Sequence, residues 1–139
     1  MARSFPYVLL AVSAFLLIWG LLGLVEYFAP SVALGLQDSG FPPGTQFLHW
    51  LLLVLTGTIF VVGFLLRWTH TPFATITMYA TLATLCFVET VDFGAFGGGP
   101  ERFFIMGAEY VTYVVLSVYL VRSRHIAERF ETPRQPAMP

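Results

Sequence analysis

The stretch Ser4–Val25, SFPYVLLAVSAFLLIWGLLGLV, runs for 22 residues without a charge. A helix that crosses a bilayer needs about 20 largely apolar residues, so this stretch reads as one span, from about Phe5 to Phe28. It ends where Ala29-Pro30 stops a helix. Arg3 ahead of an apolar run also resembles a signal peptide. The run is longer than a typical signal core, however, and no small-x-small cleavage site follows, so a retained helix is expected.

Working outward, three further apolar stretches satisfy the same criterion: Gln46–Trp68, Pro72–Asp92 and Pro100–Arg122. Glycine and proline fall between them, in Gly40-Phe41-Pro42-Pro43-Gly44 and Gly97-Gly98-Gly99-Pro100, as punctuation should. The sequence therefore predicts an all-α polytopic membrane protein, a four-helix transmembrane bundle over residues 1–125. From Ile126 the apolar period is lost, which predicts a mobile cytoplasmic tail over 126–139.

Composition agrees. Of 139 residues, 57% are hydrophobic and 11% charged, more apolar surface than a soluble domain this small can hide. A net charge of −1 with no basic face gives no reason to expect nucleic acid. Cys86 is the only cysteine, which excludes an internal disulfide and cysteine-rich metal sites. Every basic residue other than histidine is arginine, and Gly, Ala, Leu and Val abound, which suggests a GC-rich bacterial genome and hence a bacterial inner membrane.

Arginine placement predicts orientation. Arg3, Arg67, Arg122, Arg124, Arg129 and Arg134 fall on one side of the four spans, and only Arg102 on the other. Both termini and the turn after span two are then cytoplasmic. Tyr27, Phe28, Trp50 and Phe93 mark the outer boundary, and Tyr7, Trp68 and Tyr119 the inner one.

Six carboxylates gather in the outer half: Glu26, Asp38, Glu89, Asp92, Glu101 and Glu109. Asp38 reads as a solvated loop residue. Glu109 lies about two turns inside span four, where a carboxylate is costly unless protonated, paired or wet. Arg102, Met106, Glu109, Tyr113 and Leu116 share one stripe of that helix, its expected bundle-facing side. If the helix faces converge, His49, Glu26, Glu89 and Glu109 surround an outer pocket. Trp19, Trp50, Phe60 and Tyr113 would supply aromatic wall, and Arg102 would neutralise part of the charge.

Structural readings stand beside these. Glu26, Asp92 and Glu101 sit at helix ends, where water solvates them. The threonines are expected to bond their own preceding carbonyls or a neighbouring helix. Gly20, Gly23, Gly57, Gly63, Ala80 and Ala83 mark close helix packing. His49 is either an interfacial hydrogen-bonding residue or a ligand or proton relay. A metal site drawing on His49 and Glu109 is weakly indicated, since no HExxH or ExxH spacing occurs. A pocket for a quinone or lipid, or a carboxylate that handles protons, fits the residue types better.

The segment Leu21-Leu22-Gly23-Leu24-Val25-Glu26-Tyr27-Phe28-Ala29-Pro30, followed by Ala33-Leu34-Gly35-Leu36, resembles the DoxX-like group of small four-helix bacterial membrane proteins. The resemblance implies an accessory or quinone-facing role near membrane redox enzymes. With no loop or tail large enough to be a domain, the expected function is an accessory subunit, packed against other membrane subunits or further copies of itself. The alternatives are a stand-alone ligand-binding protein or small enzyme using the outer pocket, and a proton-coupled transporter.

Overall fold

The computed structural model describes residues 4–37, 40–94 and 99–130. Arg3, Asp38, Arg134 and the segment 131–139 lie outside the described residues. Among the described residues there are five α-helices, α1 (Phe5–Phe28), α2 (Pro43–Leu66), α3 (Thr71–Val91), α4 (Glu101–Arg122) and the short α5 (Arg124–Phe130), with one 3-10 turn, Pro30–Val32, after α1. No strand occurs among the described residues. The four long helices, of 21 to 24 residues, are all long and apolar enough to cross a membrane.

Local chemistry sets the boundaries. Proline occupies the first turn of α1, α2 and α3, where its missing N–H removes no helical bond. This is why α2 begins at Pro43 rather than at Gln46: the Pro42-Pro43 pair read as a turn includes the first helical residue. The same helix ends on Arg67, which adopts a left-handed φ of 53° while the Trp68 N–H reaches back to the Gly63 carbonyl at 2.9 Å. That is the Schellman pattern, here without the usual glycine. In α4, Glu101 in the first turn and Arg122 in the last complement the helix dipole.

Neighbours in sequence are neighbours in space, α1 on α2, α2 on α3 and α3 on α4. The α1–α2 seam is the tightest. A Cβ on Gly57 would meet the Ser13 carbonyl and Leu17, and one on Gly20 would meet Val54 and Leu53. The Trp50 ring lies directly on Gly23. Small residues placed reciprocally on the two helices let their backbones approach, as the sequence anticipated. Ala80 departs from that expectation, being exposed.

The interior divides into two clusters. One, at the arginine-rich end, gathers Leu9, Phe60, Phe64, Tyr79, Tyr119 and Leu120. The other, toward the acidic end, gathers Trp50, Leu52, Leu53, Leu82 and Leu85, and Tyr113 touches both.

The expected mobile tail from Ile126 needs correction over 126–130. Those residues belong to α5, with Ile126 and Phe130 buried in the first cluster. The Arg129 guanidinium donates to the Phe64 carbonyl at 3.0 Å and lies 4.4 Å over the Phe64 ring. It thereby satisfies a carbonyl in the last turn of α2, which no further helical turn can serve.

Candidate functional site

The acidic ends of α1, α2 and α3 and the first half of α4 lie at the same end of the bundle, where Glu26, His49, Glu89 and Glu109 each have a polar neighbour. His49, in the second turn of α2, faces Glu89, in the last turn of α3. The His49 Nδ1 lies 2.9 Å from one Glu89 oxygen and 3.2 Å from the other. An ionised Glu89 would accept from an Nδ1–H, and a protonated one would donate to a bare Nδ1. No described group bonds the opposite nitrogen, Nε2. The Glu89 side chain is 11% exposed and that of His49 35%, so the carboxylate is the buried partner and the imidazole the accessible one.

The pair lines a cavity of about 110 Å³, closed by Leu36, Phe41, Gln46 and Trp50. Trp50 sets its indole edge-on to the imidazole, 4.9 Å between centroids, and keeps a buried Nε1 without a partner. The wall combines aromatic surface with one hydrogen-bonded imidazole–carboxyl pair, the general character of a small-ligand site.

Glu26 does something else. It is 5% exposed at the end of α1, and its two oxygens accept the Gly35 and Leu36 N–H groups at 2.8 and 2.7 Å. Gly35 holds a φ of +74°, which turns successive amides toward one carboxylate. Gln37 continues the seam by donating to the Gly23 carbonyl at 3.0 Å. The solvated helix end expected at Glu26 is therefore replaced by a buried clasp. It does not enter the cavity but positions Leu36, which does.

Glu109 is half-buried beside the Cys86 thiol of α3, and next to Tyr113. Tyr113 stacks on Tyr79 with 5.5 Å between centroids. The expected stripe holds: Arg102, Met106, Glu109, Tyr113 and Leu116 are half-buried while most of the surrounding α4 surface is exposed. Arg102 makes no ion pair with Glu109. Its guanidinium lies 4.8 Å over the Phe103 ring, and its Nε is buried without a partner.

The four acidic and histidine candidates thus do not converge on one point. Among the described residues, no three His, Cys, Asp or Glu side chains are grouped as a metal ion requires. Thr56, Thr77, Thr81, Thr84 and Thr112 each bond the carbonyl four residues back, as expected, whereas the buried Thr75 and Thr90 hydroxyls have no partner among the described residues.

Sequence reasoning missed two features. The Tyr110 hydroxyl donates to the Ala83 carbonyl at 3.0 Å and ties α4 to α3, and nothing in the helical periods marked it. The α5 clamp was foreshadowed by Ile126 and Phe130 at i and i+4, one repeat in a segment otherwise polar. No protein-family model, curated protein or solved structure matches the chain.

Proposed function

We propose that the chain is a multi-pass protein of the bacterial inner membrane, with both termini cytoplasmic, serving as an accessory subunit of a larger assembly. A redox or quinone-linked complex, as the DoxX-like resemblance implies, is the assembly that the reading favours. The observation that carries it is α4. Of its 22 residues only Tyr119 and Leu120 are buried, and the rest of its surface is largely apolar.

Lipid covers an apolar face of any shape. It gives no reason, however, for Gly107, Ala108 and Thr112 to sit exposed beside Phe103, Phe104 and Val111. Small residues on a lipid-facing helix permit close approach of a second backbone. A Cβ on Gly107 would meet nothing within 4 Å, which leaves that approach open.

Purification in mild detergent followed by native mass spectrometry tests the proposal. Stoichiometric membrane subunits, or further copies of this chain, are expected, and Gly107→Leu should release them while leaving the chain expressed and helical. Recovery of the wild-type chain as a bare monomer would refute it.

The His49–Glu89 pair favours a second reading, a stand-alone site for a small ligand. A cavity of about 110 Å³ is somewhat smaller than the roughly 150 Å³ pocket known to hold benzene, so it suits one ring or a chain end rather than a whole quinone or lipid. On this reading His49→Ala and Glu89→Gln abolish ligand retention without unfolding the chain. Wild-type retention in both variants would remove it.

A further inference from the structure

A second recess lies away from the acidic end. It is a groove of about 640 Å³ at the opposite, arginine-rich end, where α4 gives way to α5. The helix breaks because Ser123 turns extended, with ψ of 122°, so α5 leaves the line of α4 and opens a recess at the corner.

The groove has two chemically distinct parts. Its floor is Val114, Val115 and Val118, on one face of α4 and all exposed. Its rim, one to two turns further along, carries Arg122, Arg124 and His125. From Val114 to Arg122 the rise is about 12 Å, enough to lay the upper part of an acyl chain against valine while a headgroup meets the arginines.

Charge supports an anionic occupant. Arg122 and Arg124 have exposed side chains and make no ion pair among the described residues. The one carboxylate in the lining, Glu128, lies 3.7 Å from His125 and is itself exposed, so it offsets the histidine rather than the arginines. Tyr119, 4% exposed, also contributes to the lining, and its buried hydroxyl has no partner. Guanidinium groups present paired N–H donors that match phosphate oxygens, and the exposed Arg122 and Arg124 side chains supply them at the rim.

We propose that this groove binds one acidic phospholipid of the leaflet on the arginine-rich side, its phosphate on Arg122 and Arg124 and an acyl chain along Val114, Val115 and Val118. The inference rests on the membrane reading above. Basic recesses between helices at the cytoplasmic face are placed to take anionic headgroups, because that leaflet is the negatively charged one. The groove volume falls within the roughly 300–1,000 Å³ of ordinary ligand sites, sufficient for a headgroup and part of one chain.

The test uses the full chain in neutral detergent, with thermal unfolding followed as phosphatidylglycerol, phosphatidylcholine or glycerol phosphate is added. Phosphatidylglycerol alone is expected to raise the unfolding midpoint and to survive as a single adduct in native mass spectrometry. The double variant Arg122→Gln/Arg124→Gln should need at least tenfold more of it. Val115→Trp, which fills the floor without touching a charge, should weaken it as well. Arg67→Gln, at the same end but outside the groove, should respond as wild type.

Equal stabilisation by phosphatidylcholine, equal response of the double variant, or an equal effect of glycerol phosphate would overturn the lipid assignment. So would a crosslink that seats a second copy of the chain in the groove. Extraction of native membranes with alkaline carbonate separates the two levels. A chain released by carbonate refutes the membrane reading, and a chain retained without lipid preference refutes the lipid site alone.

Discussion

Replacing Glu26 with alanine removes both acceptors that hold the Gly35 and Leu36 amides, at 2.8 and 2.7 Å. A hydrogen bond to a charged group contributes about 1.5–3 kcal/mol when buried, so two would total about 3–6 kcal/mol. Gly35 is exposed and Leu36 half-buried, and water replaces part of the lost bonding once the clasp opens. The local opening free energy should therefore fall by about 3 kcal/mol, the low end of that range. At about 1.4 kcal/mol per factor of ten, amide hydrogen exchange at Gly35 and Leu36 should quicken about a hundredfold. Glu26→Gln keeps one carbonyl acceptor but turns an NH₂ toward an N–H, and should quicken exchange about tenfold. Amides in the middle of α2 should not change, which separates loop release from global loosening. Exchange at Gly35 and Leu36 as slow in Glu26→Ala as in the wild type would refute the clasp.

Three other perturbations have defined outcomes. His49→Ala leaves the Glu89 carboxylate, 11% exposed, without its partner, and should cost about 2–3 kcal/mol in reversible detergent unfolding. Glu89→Gln should cost less, since the imidazole still finds an amide oxygen, and the reverse order would contradict the assigned geometry. Gly57→Leu drives a side chain into the Ser13 carbonyl and Leu17, and should lower stability by more than about 3 kcal/mol, whereas Gly107→Leu should leave the isolated chain's stability unchanged. Arg129→Ala removes one hydrogen bond and one cation–π contact from the α2 terminus. It should loosen α5 by about 1–2 kcal/mol, seen as faster proteolysis within 124–130, and unchanged cleavage would contradict the clamp.

The helices were legible because their signals are local. Apolar length and proline position placed α1 at both ends and the other three long helices within a few residues. The half-buried stripe from Arg102 to Leu116 followed from one helix period. The pairing across helices did not. Glu109 stood out by its depth in the helix, yet it is Glu89 that His49 meets. Which faces oppose one another depends on the relative rotation of the helices, which the contacts at Gly20, Gly23, Gly57 and Gly63 govern. Glu26 was misread as a solvated end because its partners are backbone amides of a loop, and amides carry no residue signature. The α5 helix was missed because seven residues hold a single i, i+4 repeat.

The contrast between the glycine-lined α1–α2 seam and the thinly packed α4 bears on how this chain can diverge. At Gly20, Gly23 and Gly57 every alternative residue begins with a Cβ that strikes a neighbour. Drift there is confined to reversion or to paired changes on both helices. On α4, Phe104 and Val111 meet no fixed neighbour within the chain, so exchange among apolar residues there is nearly neutral until a partner is present. Lineages that keep a partner should therefore hold the α4 surface constant, while those that lose it should scramble α4 first and the hairpin last.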